Sequence, residues 1–163
     1  MPRLNREGRY PVTLELNGQQ VTGHAEPRML LSDFLTHEIG ITSCHVGCEH
    51  GVCGACTVLI DGNVSRACLT FAVQTDGCSV ETAESLASDD GELSDLQKAF
   101  KKHHGLQCGY CTPGILMSIT AYLKENPKPT EEELRDMLSG HLCRCTGYVG
   151  MVKAVLDYCE NRG

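Results

Sequence analysis

Eight cysteines in two groups constrain this 163-residue chain more tightly than any of its hydrophobic runs. Cys48, Cys53 and Cys56 stand in C-x4-C-x2-C order with Cys68 further on, the spacing of a plant-type [2Fe-2S] site. The sulfurs of such a site need backbone N–H groups close by, so the enclosing loop must approach tightly. Gly47, Gly51 and Gly54 permit that approach. A zinc site would more often pair one C-x2-C knuckle with another, and a four-iron site would show the C-x2-C-x2-C-x3-C-P run. The second group is Gln107-Cys108-Gly109-Tyr110-Cys111-Thr112-Pro113-Gly114 and His141-Leu142-Cys143-Arg144-Cys145-Thr146-Gly147-Tyr148. Each pair sits at the mouth of an expected helix, where N-terminal N–H groups and the dipole favour thiolates. Cys143 and Cys145 as a disulfide would close a strained ring, so ligation is the simpler reading.

The rest of the composition agrees with metal chemistry in a reducing compartment. Eleven cysteines cannot all pair, and in a cytosolic chain cysteine clusters point to metal or redox work. No stretch approaches the roughly 20 apolar residues of a membrane span, and Met1 to Glu7 lack the apolar core of a signal peptide, so a cytoplasmic protein is expected. Acidic residues outnumber basic ones by 21 to 14, for a formal charge of -7, with no basic stripe. Nucleic acid is thereby excluded as an expected partner.

The hydrophobic period changes along the chain. Val12, Leu14 and Leu16 alternate with polar residues, and Asn17-Gly18 turns into Gln19 to Ala25, a β-hairpin. Leu30, Leu31, Phe34 and Leu35 make one face of a short helix ending near Gly40. Thr57 to Ile60 and Val64 to Leu69 flank Asp61-Gly62 as a second hairpin, and Ser79 to Glu81 adds a short strand. Glu84 to Gly91 is acidic and poor in bulky apolar residues, the best linker. Beyond it the period is helical: Leu93, Leu96 and Phe100 mark one helix, and Thr112-Pro113 reads as N-cap and first position of the next. Pro127 and Pro129 stop that helix, Thr130 with Glu133 makes a capping box for a third ending at Gly140, and a fourth runs from about Val149 to Cys159.

The strings Gly47 to Val58, Gln107 to Gly114 and Cys143 to Tyr148 together resemble the small [2Fe-2S] iron–sulfur subunit of the molybdenum hydroxylases, the xanthine dehydrogenase, aldehyde oxidase and carbon monoxide dehydrogenase family. The likeness extends over about residues 10 to 160. It implies an α+β chain: a β-grasp, plant-type ferredoxin-like domain over residues 1–83 carrying Cys48, Cys53, Cys56 and Cys68, a linker over 84–91, and a four-helix bundle-like domain over 92–163 carrying Cys108, Cys111, Cys143 and Cys145. It also implies two [2Fe-2S] clusters here, a large partner subunit with a molybdenum–pterin cofactor and a medium one with FAD, joined as a heterotrimer or a dimer of heterotrimers. Electrons would leave the pterin one at a time, pass the helical-domain cluster and then the ferredoxin-like cluster, and reach flavin. By the same resemblance Gln107 hydrogen-bonds the pterin and Cys145 is the ligand nearest it. No catalytic residue is expected in this chain.

Several residues read two ways. Cys44, four positions before Cys48, allows a slipped ligand set, but it lacks the downstream glycines, and with Cys78 and Cys159 it is expected to be structural. His45, His50, His103, His104 and His141 would serve a Rieske-like site only if two replaced cysteines, and eight spaced cysteines leave no vacancy. Arg144 is either surface charge or a cation that raises a cluster's potential. Tyr110 is expected to pack rather than relay electrons. Two other functional classes compete: a free-standing ferredoxin-type carrier or iron–sulfur sensor, which has no need of the helical part or of Gln107, and a zinc-stapled interaction module, which would be colourless. Substrate, pterin nucleotide and final acceptor are not encoded in these residues.

Overall fold

Two dipeptide turns set the sheet. In the computed structural model, which describes residues 4–88 and 90–162, Asn17 and Gly18 are both left-handed, with φ of 51° and 80°. That turn type matches the twist of the strands it joins, so β1 (Tyr10–Leu16) and β2 (Gln19–Ala25) pair antiparallel from Tyr10↔Ala25 to Leu16↔Gln19. Asp61 and Gly62 repeat the device, with φ of 49° and 79°, between β3 (Thr57–Ile60) and β4 (Asn63–Arg66). The last strand, β5 (Ser79–Glu81), enters the middle, parallel to β1 and antiparallel to β3, giving the order β2-β1-β5-β3-β4.

Strand alternation sends Val12, Leu14 and Leu16 to one face, where they meet Leu31, Phe34 and Leu35. The helix carrying those last three ends at Gly40, as its apolar spacing predicts, but takes two forms. Only α1 (Leu31–Asp33) is α-helical, and Phe34–Ile39 continues in wider π-helical turns to a left-handed Gly40 with φ of 92°. The wide turn keeps Phe34 and Leu35 on the sheet while Glu38 reaches the Arg9 guanidinium at 2.9 Å and the His24 N–H at 2.9 Å. Burying Phe34 alone is worth about 1.5–3 kcal/mol. The second hairpin also ends earlier than its apolar pattern predicts. β4 stops at Arg66, and Ala67–Leu69 form a 3-10 turn that takes Cys68 inward, to 3% exposed, instead of continuing along β3.

Four helices follow. α2 (Asp95–Lys102) starts at a Ser94–Gln97 capping box, so Leu93 lies before the helix and is 41% exposed rather than on its apolar face. α3 (Thr112–Glu125) is capped one residue earlier than the expected Thr112, at Cys111, with Thr112 and Pro113 in its first turn. α4 (Glu131–Leu138) carries the expected Thr130–Glu133 box, and α5 (Val149–Asn161) ends the chain. Leu96, Phe100, Ile115, Ile119, Leu134, Leu138 and Met151 form a core separate from that of the sheet. Among the described residues no helix is long and apolar enough to cross a membrane.

One close approach ties the helical half to the first, and a set of hydrogen bonds secures the segment between them to the first half. Gly114, in the first turn of α3, lies so close to the Gly54 and Ala55 carbonyls that a Cβ would collide with backbone. In the segment read as a linker, Ala83–Leu86 form a 3-10 turn from which the Glu84 carboxylate accepts hydrogen bonds from the N–H groups of Thr42 (3.2 Å) and Ser43 (3.0 Å), and from the Ser43 and Thr82 hydroxyls; Asp89 of that segment lies outside the described residues.

Both features are testable. Burial alone would raise the Glu84 carboxyl, but the hydrogen bonds from Ser43 and Thr82 outweigh it and hold it below its usual 4.5. A lowered pKa adds stability above the unfolded value that is lost as pH falls through the folded one. Glu84→Gln therefore lowers stability by about 1 kcal/mol at neutral pH, seen as a drop in urea midpoint that persists at mildly acid pH and vanishes once wild-type Glu84 is protonated. A penalty that grew on acidification would refute the carboxylate as its source. Gly114→Ala forces α3 off the Gly54 loop and costs about 1–3 kcal/mol, measured by thermal unfolding; a shift no larger than that of an exposed helical substitution would refute the close approach.

Candidate metal centres

Three cysteines of the first group, Cys48, Cys53 and Cys56, occupy the loop between Gly40 and β3, and Cys68 joins them from the 3-10 turn after β4. Gly51 and Gly54 both hold φ near 75°, a left-handed conformation that glycine adopts without strain. The reversals aim the His50 and Cys53 N–H groups at Cys48 Sγ, at 3.3 and 3.4 Å. Hydrogen bonds from Cys53 and then His50 pull the Cys48 thiol down to about 6. The Cys53 side chain pairs with that of Cys48. Cys56 and Cys68, 1% and 3% exposed, form a deeper pair, and burial followed by the neighbouring Cys56 pushes the Cys68 thiol up to about 11.

The second group assembles from two helix mouths. At the outer edge Cys108 Sγ and Cys145 Sγ lie 3.5 Å apart, and both residues are exposed. Their shared contact raises the Cys145 thiol. Further in, Cys111 pairs with Cys143, and burial followed by that partner pushes Cys111 up to about 12. Burial would also raise Cys143, yet the Thr146 hydroxyl at 3.1 Å and N–H at 3.5 Å outweigh it and lower that thiol. Sulfurs therefore meet two and two in each group, with N–H donors against them. That arrangement suits two irons holding two thiolates each. Among the described residues no three His, Cys, Asp or Glu side chains converge on a single ion position.

The other candidates are placed as follows. Gln107 is exposed beside Cys108. Cys44 is buried in the first core near Cys56 and Cys68, and burial pushes its thiol up to about 12. Cys78 is half-buried before β5, and Cys159 packs against the second core. His45 stacks on Tyr110 with ring centroids 4.6 Å apart, His50 turns back to the Cys48 carbonyl, and His103 meets Asp157 at 2.9 Å. Exposed His104 and Arg144 lie at the surface.

The two groups touch through residues to which spacing gave no role. The Leu142 N–H donates to the Cys53 carbonyl at 3.0 Å. Tyr110, between Cys108 and Cys111, donates its hydroxyl to the Val46 carbonyl at 2.7 Å. His141, 2% exposed, sits against Gly54 and is pushed down to about 4 by burial and then by Arg66. Arg66 bonds the Thr57 hydroxyl and donates to the Gly140 carbonyl at 3.0 Å. No local pattern announces such partners, because they come from elements far apart in sequence.

Known proteins with the same features form one group. Residues 14–109 match the family described as 2Fe-2S iron-sulfur cluster binding domain, and residues 82–156 the one described as [2Fe-2S] binding domain. The chain is 54% identical to the nicotine 6-hydroxylase small subunit of Paenarthrobacter nicotinovorans, over 91% of this chain and 89% of that one. It is 42% identical to a protein of Bacillus subtilis (strain 168) named as part of a probable xanthine dehydrogenase, over 93% and 89%. Among solved structures, quinoline 2-oxidoreductase from Pseudomonas putida 86 superposes with a TM-score of 0.90 at 46% identity, covering 93% of this chain and 94% of that one. With two iron–sulfur binding domains and relatives of this likeness along nearly its whole length, the chain belongs to the small iron–sulfur subunits of the molybdenum hydroxylases.

Proposed function

We propose that this chain carries electrons singly from a molybdenum–pterin large subunit, through two [2Fe-2S] centres of its own, to an FAD-bearing medium subunit. The observation that carries the reading is the gathering of eight cysteines into two quartets of paired sulfurs, each with N–H donors. Cys48, Cys53, Cys56 and Cys68 hold one centre, and Cys108, Cys111, Cys143 and Cys145 the other. Each centre, when bound, supplies reversible one-electron chemistry.

The two surroundings suit different tasks. Cys108 and Cys145 lie at an exposed edge with Gln107 beside them, so this edge faces the pterin, with the Gln107 amide as its hydrogen-bonding group. Exposed Val52 and Leu69, beside the first quartet, mark the side that hands electrons on. The first centre belongs to a β-grasp domain over residues 1–83 and the second to a four-helix bundle-like domain over 92–163, with 84–91 joining them. Substrate turnover is the large subunit's task. The complex is a heterotrimer or a dimer of heterotrimers in the cytoplasm; the relatives' names, as small subunit or subunit of a dehydrogenase complex, support partners over a free carrier. The relatives named for nicotine and quinoline make nitrogen heterocycles the first substrate class to assay.

The chain purified anaerobically should be red-brown and hold about four irons and four sulfides; two irons after full reconstitution would sink the two-centre reading. Cys53→Ser should abolish one set of paramagnetic signals and leave the other. In the assembled complex that variant should still pass substrate electrons to the helical-domain centre while flavin stays oxidised. Normal flavin reduction there would show the order of the relay to be wrong. Gln107→Ala removes one hydrogen bond to the pterin, worth roughly 0.5–1.5 kcal/mol net. First transfer should slow, with both centres fully loaded, and an unchanged rate would remove Gln107 from the contact.

A further inference from the structure

The seam between the quartets is crossed by two long side chains running in opposite directions. Arg66 ends β4, two residues before Cys68, and its guanidinium reaches both the Thr57 hydroxyl on β3 and the Gly140 carbonyl beyond α4. Thr57 in turn donates to the Gly54 carbonyl at 2.6 Å, and Gly54 lies between Cys53 and Cys56. From the other side, His141 follows Gly140 directly. Its Nε2 lies 2.8 Å from the Ser118 hydroxyl on α3, and its ring rests on Gly54, where a Cβ would collide with it. The contacts close a ring: Gly54, Thr57, Arg66, Gly140, His141 and back to Gly54. Within this ring the Leu142 N–H meets the Cys53 carbonyl, directly between the two quartets.

On the reading that both quartets hold clusters, we infer that Arg66 and His141 are positioning residues, a two-way clamp that fixes the spacing between the centres without binding either. Arginine suits this place because its planar fork addresses two acceptors on different elements at once, which a lysine ammonium on a flexible stem does not. Each centre's ligands come from its own half of the chain, so neither needs the clamp to hold iron. What depends on the clamp is the interval between centres, and both electron transfer and magnetic dipolar coupling fall steeply as that interval grows.

The test uses the whole chain with both centres loaded and reduced by dithionite under anaerobic conditions. For wild type, Arg66→Ala and Arg66→Lys, iron and sulfide content, the dipolar splitting between the two paramagnetic signals, and hydrogen exchange at the Leu142 amide are compared. Arg66→Ala should keep wild-type iron and both signals, yet show diminished splitting and faster Leu142 exchange, by about tenfold. Arg66→Lys, with charge and volume largely kept, should loosen the seam in the same sense and serves should the alanine variant not fold. Unchanged splitting and exchange at full iron content in Arg66→Lys and Arg66→Ala would overturn the clamp. So would a loss of iron in parallel with the splitting, which marks a general structural role. A wild-type chain with one signal and two irons overturns instead the two-centre reading on which the clamp rests.

Discussion

Sulfurs brought together in fours become a concentration of negative charge once they bind metal, and this requirement shapes the chain around them. Thiolates in such proximity repel unless donors face them. Here the donors are backbone N–H groups, which a loop can aim at sulfur only by reversing direction within a few residues. Gly51 and Gly54 make the reversal around Cys48, and Thr146 contributes both hydroxyl and N–H at Cys143. At Cys68 and Cys111 burial outweighs the backbone N–H that faces each sulfur and pushes the thiol the opposite way. Each quartet thus mixes a lowered thiol, Cys48 or Cys143, with a raised one, Cys68 or Cys111.

The same loops also serve as contact surfaces. Gly54 is surrounded on one side by its own quartet and on the other by Gly114 and His141, so one missing Cβ satisfies two demands. Ridges of side chains, the ordinary means by which helices pack, would keep the two groups farther apart. Backbone meeting backbone lets a single N–H to carbonyl bond, Leu142 to Cys53, span the gap.

What was legible in the sequence was local. Metal-ligand spacing, the Asn17-Gly18 and Asp61-Gly62 turns and the Thr130–Glu133 box each lie within a few residues, and the strands and helices they mark are present. Elsewhere a longer-range contact prevails over a local preference. Cys68 leaves its strand to join Cys56, and Cys111 rather than Thr112 caps α3. Ser94 with Gln97 was a readable box, obscured by Leu93, whose apolar character suggested the helix began sooner. That the cysteines fall into two groups followed from spacing, but which sulfur meets which, and the roles of Arg66 and His141 at the seam, exist only once distant elements have come together.

The unequal depth of the sulfur pairs bears on how long this chain survives alone. Cys56 and Cys68 are nearly sealed, whereas Cys108 and Cys145 stand in the open. Oxygen, water and any chelator reach Cys108 and Cys145 before they reach the sealed pair. The exposed pair is therefore where oxidative loss begins. Any surface that covers this edge shields the two sulfurs that solvent reaches most easily, so covering it is a means of preservation.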